Sequence, residues 1–205
     1  MKKILSFIFI LFALPLTACA DTEFKEGTHY EVLNKPATSQ PEVKEFFSFY
    51  CPHCFAFEPI ADDIKKQLPA NVDFKRSHVD FMPRNNREVA TGLGKSLAAL
   101  ELMKADKEGV SALFKHLHKD RKQFSSMTNV RSVLADAGID PVKYDSAYNS
   151  FIAAGQANQM SSDQKTYNIR SVPTLVVNGK YKVKSSGLKN EKEYAEVVLF
   201  LLEKK

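Results

Sequence analysis

Cysteine is scarce, with three residues in a chain of 205, and that excludes a disulfide-scaffolded mini-protein. Glycine and proline are also few, at 8 and 9, so the chain is neither collagen-like nor of low complexity. With 44% hydrophobic and 26% charged residues it is not a wholly disordered chain either. No internal repeat is visible. Beyond the first twenty residues no apolar run reaches eighteen, so nothing later in the sequence is built to span a bilayer. The formal charge of +5 is modest and its lysines are scattered rather than striped, which implies no nucleic-acid partner. What remains is about 180 residues, enough for a core without disulfide staples.

The first twenty residues read as a secretory signal. Lys2 and Lys3 give a basic start, Ile4 to Leu14 is almost wholly apolar, and Ala18-Cys19-Ala20 is an A-x-A cleavage site followed by polar Asp21-Thr22-Glu23. Cleavage there leaves 27 basic against 24 acidic residues, or +3. Leu16-Thr17-Ala18-Cys19 also resembles a lipobox, in which Cys19 would be lipidated and retained. The tether from Cys19 to foldable sequence at Phe24 would then span only roughly 15 Å, so soluble export is the favoured reading over the lipoprotein. Either route leads to an oxidising compartment, and after cleavage two cysteines remain, Cys51 and Cys54.

The pattern that follows alternates between strand and helix. His29 to Leu33 reads as a short strand and Val43 to Tyr50 as a near-continuous apolar strand covered on both faces. Cys51 to Leu68 has helical spacing through Cys54, Phe57, Ile60 (or Ala61), Ile64 and Leu68, with Pro59 inside it expected to kink the helix. Val72 to Val79 returns to strand. Residues 85–167 are helical throughout, with stripes through Val89-Leu93-Leu97-Leu100, Val110-Leu113-Phe114-Leu117 and Val130-Val133-Leu134-Ala137. Gly138 reads as a C-cap, and Asp140-Pro141 as the start of a helix running through Tyr144, Ala147, Tyr148 and Phe151. Thr174 to Val177 and Tyr181 to Val183 flank Asn178-Gly179, a two-residue hairpin signal. Glu191 to Lys205 closes the chain as an amphipathic helix. The expectation is an α/β domain formed by residues 21–84 and 168–205, carrying an inserted helical domain at 85–167.

The chemistry concentrates at Cys51-Pro52-His53-Cys54. A C-x-x-C opening a helix directly after a buried strand is the redox form of this spacing. Unpaired N–H groups and the positive end of the helix stabilise a thiolate at Cys51. Cys54, one turn on and deeper, is the resolving sulfur. Pro52 suits a first helical turn, and His53 can add a donor or a positive charge. A zinc knuckle is the bland alternative, but zinc needs four ligands and His116-x-His118 has the wrong spacing to complete a set. No metal is expected. His29, His116 and His118 read as surface or packing residues, and His78 as packing or a local hydrogen bond.

Phe46-Phe47-Ser48-Phe49-Tyr50-Cys51-Pro52-His53-Cys54, with Val172-Pro173 and Asn178-Gly179-Lys180-Tyr181 downstream, resembles the DsbA family. These are bacterial periplasmic thiol–disulfide oxidoreductases of the thioredoxin superfamily. The resemblance implies a thioredoxin-like fold, a dithiol oxidase that donates the Cys51–Cys54 disulfide to reduced, unfolded secreted proteins, and no cofactor. It also implies reoxidation by a DsbB-like membrane quinone reductase. Val172-Pro173 is implied to be a cis peptide facing the dithiol and offering backbone groups to an extended peptide; in most X-Pro bonds the trans form prevails.

Glu45 stands out on its own. It shares the parity of Phe47 and Phe49 on a strand that leads to Cys51, so its carboxylate is expected beneath the site with its pKa raised by burial. In the family a buried acid here pairs with a lysine and moves protons. Arg76 takes the matching place in this chain, and arginine does not give up its proton, so a fixed salt bridge gains weight over a shuttle. Glu58 lies on the same helix face as both cysteines, where its charge would oppose thiolate formation unless water screens it. The rival readings are an isomerase or reductase, a peptide-binding module without catalysis, and a zinc-binding module. Isomerases usually carry a dimerisation region for which the length leaves no room, so a monomer is expected.

Overall fold

The structure is a computed structural model that describes residues 24–204; the signal segment and Cys19 lie outside the described residues. Five strands form one mixed sheet. They are β1 (Tyr30–Val32), β2 (Glu42–Phe47), β3 (Asp73–His78), β4 (Thr174–Val177) and β5 (Tyr181–Val183), in the order β1-β5-β4-β2-β3. β2 and β3 run parallel, joined by helix α1 (Pro52–Gln67), while β4 and β5 pair antiparallel to their neighbours. A parallel pair needs such a crossover.

β2 is bordered on both sides, which explains its apolar composition: Val43, Phe46 and Phe47 are fully buried. The strand ends at Phe47, three residues before the expected Tyr50. Residues 48–51 instead fold into a turn, in which the Cys51 amide donates to the Ser48 carbonyl at 3.0 Å. The turn aims the chain from the sheet edge into α1. Pro59 sits inside α1 without ending it.

Five helices lie between β3 and β4 in sequence: α2 (Arg87–Leu102), α3 (Asp106–Phe114), α4 (Met127–Asp136), α5 (Pro141–Tyr148) and α6 (Phe151–Thr166). α3 continues into a π-helical turn at Lys115–Lys119. The expected stripes of α2, α3 and α4 are the buried ones, and Val89, Leu93, Leu97, Leu100, Leu113, Phe114, Val130 and Leu134 share a core with Phe47, Phe49 and Cys54. The dithiol therefore rests directly on the helical block.

One boundary differs from the sequence reading. The stripe from Tyr144 does not extend to Phe151, because Ser150 caps a new helix by accepting from the Ala153 amide, and Phe151 is 97% exposed. The hairpin forms at Asn178-Gly179, where φ is +50° and +62° as such a turn requires. The chain closes with α7 (Lys192–Glu203) on the opposite face, where Val197, Val198 and Leu201 pack with Phe57 and Ile64 of α1.

Candidate active site

Cys51 occupies the N-cap of α1 in an extended conformation (φ −93°, ψ 114°), with Pro52 as the first helical residue and no acid in the first turn. Proline costs nothing there, since its missing amide would be unpaired anyway. Cys54 follows one turn later. Cys51 is 5% exposed, Cys54 is fully buried, and both thiols are free.

These surroundings separate the two sulfurs. Cys51 is pulled down to about 6, first by the hydrogen bond from the Cys54 thiol and then by the backbone amides of Cys54 and His53 and the charge of His53, against the opposing effect of burial. Cys54 is pushed up by that same hydrogen bond, by burial, and by the negative charges of Cys51 and Glu45. One sulfur is thus prepared to be a thiolate and the other to keep its proton. The first-turn amides and His53 pull in the same direction, but the largest single influence on Cys51 is its own partner.

Val172-Pro173 is a cis peptide, as is Met82-Pro83, which the sequence reading had not singled out. The Val172 carbonyl oxygen lies 3.4 Å from Cys51 Sγ, so residues 121 positions apart form the two lips of the site. Among the described residues no group of three or more His, Cys, Asp or Glu side chains converges as metal ligands would.

Beneath the dithiol, Glu45 and Arg76 are register partners on β2 and β3. Glu45 is fully buried and accepts from Arg76 Nε at 2.9 Å. The other edge of the same guanidinium reaches Glu58 of α1, and its central carbon Cζ lies 4.0 Å from the Phe47 ring centre. Burial raises the Glu58 pKa while Arg76 opposes the rise. Glu58 is therefore neither a solvated helix glutamate nor a bare charge beneath the thiolate. Arg76 binds two carboxylates at once, a task for which its planar fork is suited.

Two histidines hold the turn before Cys51. The Phe49 amide donates to His78 Nε2 at 3.2 Å, and the Phe49 carbonyl lies 2.7 Å from His118 Nε2. His78 is buried and its pKa is pushed down to about 3, chiefly by desolvation. His118 also stacks on Phe55, with ring centres 5.2 Å apart and 11° between planes. His116 stacks on Phe124. These are packing roles, and that His118 packs against the turn before Cys51 is visible only in the fold. Its spacing from Phe49, 69 positions, carries no local signal.

A family profile described as "DSBA-like thioredoxin domain" matches residues 42–198. The chain belongs to the DsbA-like thioredoxin family. It is 36% identical over 217 aligned positions to the thiol:disulfide interchange protein DsbA of Pectobacterium carotovorum, with both chains covered in full. To the protein of that name from Escherichia coli K12 it is 36% identical, covering 89% of this chain and 90% of the other. Among solved structures, the disulfide oxidoreductase DsbA of Proteus mirabilis superposes with a TM-score of 0.80 at 32% identity, over 89% of this chain and 98% of that one. A structure of a Proteus mirabilis DsbA variant holds a non-covalently bound peptide, PWATCDS, and gives a TM-score of 0.81 at 31% identity, over 89% and 100% of the two chains. The fold is thus the thioredoxin-like α/β fold of DsbA, and the chain is a protein thiol–disulfide oxidoreductase.

Proposed function

We propose that this DsbA-family protein donates its Cys51–Cys54 disulfide to reduced proteins newly exported to the periplasm. A substrate thiolate attacks Cys51 Sγ, the Cys51–Cys54 bond breaks, and Cys54 leaves as a thiolate that takes up a proton. The substrate's second thiolate then attacks its own sulfur in the mixed disulfide, and Cys51 departs as a thiolate. The substrate loses two electrons and gains a disulfide; the protein is left as the dithiol. The acidified Cys51 carries this reading, because a sulfur held near 6 is a good leaving group and favours the reduced enzyme.

The other site residues have supporting roles. His53 and the first-turn amides stabilise the Cys51 thiolate, and Pro52 orders that turn. Val172 and Pro173 present backbone to an extended substrate. Arg76 keeps its proton and clamps both Glu45 and Glu58, which favours a fixed ion-pair network over a proton relay. The two electrons left on the dithiol pass to a DsbB-like membrane quinone reductase. Periplasmic placement is supported by the signal-like first twenty residues and by the need for an oxidising compartment.

Trapping tests the assignment. Cys54→Ala expressed with its leader should accumulate mixed disulfides with exported proteins, and Cys51→Ala should not. Equal adduct levels in the two variants, or none in Cys54→Ala, would contradict it.

A further inference from the structure

Clefts open on two opposite faces of α1. His53, Ala56 and Ile60 turn toward the Val172-Pro173 loop, and at about 100° per residue Phe55, Glu58, Asp62 and Lys66 point the other way. On that second face α1 and α3 enclose a groove of about 660 Å³. Phe55, Val110 and Phe114 form its apolar floor, and half-buried Phe55 directly follows the resolving Cys54.

Lysines stand on both rims, Lys65 and Lys66 on α1 and Lys107, Lys115 and Lys119 along α3 and the turn after it. Two of the acids in the groove are already neutralised, Glu58 by Arg76 and Asp62 by Lys65 at 3.5 Å. Lys115 is paired in turn with Asp120. Lys66, Lys107 and Lys119 are exposed and have no ion-pair partner among the described residues, and only Asp106 stands against them. Lys119 lies 5.9 Å from the Phe55 ring centre, which puts one of these cations at the end of the groove nearest the dithiol. The positive field extends past the rim. Residues 104–122 hold six lysines and arginines against three acids, or +3, which equals the net charge of the whole chain after residue 20.

We infer that the α1–α3 groove docks an acidic segment of the reduced polypeptide substrate, on the side of α1 away from Val172-Pro173. The inference rests on the oxidase reading above and specifies its substrate class. The segment's apolar side chains cover Phe55, and its carboxylates meet Lys66, Lys107 and Lys119. The geometry sets the spacing. A chain leaving the Val172-Pro173 lip crosses the end of α1, about 10 Å, in about three extended residues. The groove then follows α1 from Phe55 to Lys66, about 16 Å, and holds about five more. The acids therefore belong about four to eight residues from the reacting cysteine. Each exposed pair is worth about 1.5–5-fold at low ionic strength, and salt screens it.

The test uses the oxidised mature protein and dithiol peptides alike except for a block of three Glu, three Gln or three Lys. The block is centred six residues from the nearer cysteine, on its N-terminal or its C-terminal side, or placed directly beside it. Oxidation is followed by acid quench, alkylation and mass measurement, with dithiothreitol as a small uncharged dithiol. On at least one side, the distant Glu block should give kcat/KM about 5–20-fold above the Lys block in 20 mM salt, through KM, and within about 2-fold in 0.5 M salt. Moving the block beside the cysteine should shrink the difference. Lys66→Glu with Lys107→Glu should reverse the order. Lys143→Glu with Lys165→Glu, the same change of net charge on α5 and α6, should preserve it. Neither pair should alter the dithiothreitol rate. An order unmoved by the groove pair, or moved equally by both pairs, would overturn the inference and leave the oxidase reading intact. Retention on phosphatidylglycerol vesicles with no peptide preference would assign the lysines to a lipid surface and overturn it as well. Failure of the wild-type protein to oxidise dithiothreitol would overturn both readings.

Discussion

His118 Nε2 lies 2.7 Å from the Phe49 carbonyl oxygen, and through this bond the helical block grips the turn that presents Cys51. Together with the Phe49 amide on His78, it leaves neither polar group of the Phe49 backbone unpaired. Such satisfaction is required of buried backbone. Removing the donor strands the carbonyl, at a cost of about 1–3 kcal/mol. His118→Leu should lower the denaturant midpoint by that amount, and His118→Gln, which keeps an N–H donor, should recover part of the loss. Equal stability of the Leu and Gln variants would mean that the stacking on Phe55 is the whole of the contribution.

The Arg76 clamp leads to a double-mutant prediction. Arg76→Met leaves buried Glu45 without its counter-charge and should cost about 3–5 kcal/mol. Adding Glu45→Gln should restore much of this, so that the pair is coupled by at least ~1 kcal/mol. Arg76→Lys supplies one point charge in place of a fork, and should fall between wild type and Arg76→Met in urea unfolding. Additive effects of the two single substitutions would contradict the ion pair.

Much of this was legible in the sequence because it is local. The Cys51–Cys54 motif, the strand before it and the Asn178-Gly179 hairpin each announce themselves within about ten residues. The match of Arg76 to Glu45 came from the family resemblance rather than from spacing, and the two are register partners on β2 and β3. α6 was partly hidden, since its buried face includes Asp163 and Gln164 rather than an apolar stripe. Polar residues mark it poorly, although Lys44 meets Asp163 in an ion pair. The β2 end was misjudged because Phe49 and Tyr50 continue the apolar run of the strand, whereas Phe49 is buried from a turn. The Glu58 contact depends on how α1 lies across the sheet, and the His118 contact on how the inserted helices dock. Neither is written in spacing.

Selective alkylation separates the two sulfurs. In the reduced protein Cys51 should react with iodoacetamide far faster than Cys54, because only Cys51 forms a thiolate near neutrality. Its rate should be half-maximal near pH 6 and fall about tenfold per pH unit in more acid solution. Cys54→Ala removes the hydrogen bond that does most to lower Cys51 and should shift that midpoint upward. A midpoint near the ordinary ~8.5 of a free cysteine in the wild type would show that the site does not acidify Cys51.

The most direct measurement is the stability of the dithiol form relative to the disulfide form as a function of pH. The Cys51 pKa is lower in the folded state, about 6, than the ~8.5 of an unfolded chain. The thiolate's contribution is therefore fully present above the unfolded value, declines as pH falls, and is gone once pH drops through the folded value. Between pH 5 and pH 8 it amounts to about 2 kcal/mol after allowance for solvent screening. The disulfide closes so short a loop that its opposing entropic contribution is ~2 kcal/mol and independent of pH. Denaturant unfolding of both forms from pH 4 to 8.5 should show the dithiol form less stable in acid, gaining about 2 kcal/mol on the disulfide form, and overtaking it in mildly alkaline solution. A difference that stays flat across this range, or that moves the other way, would contradict an acidified Cys51 as the centre of the reaction.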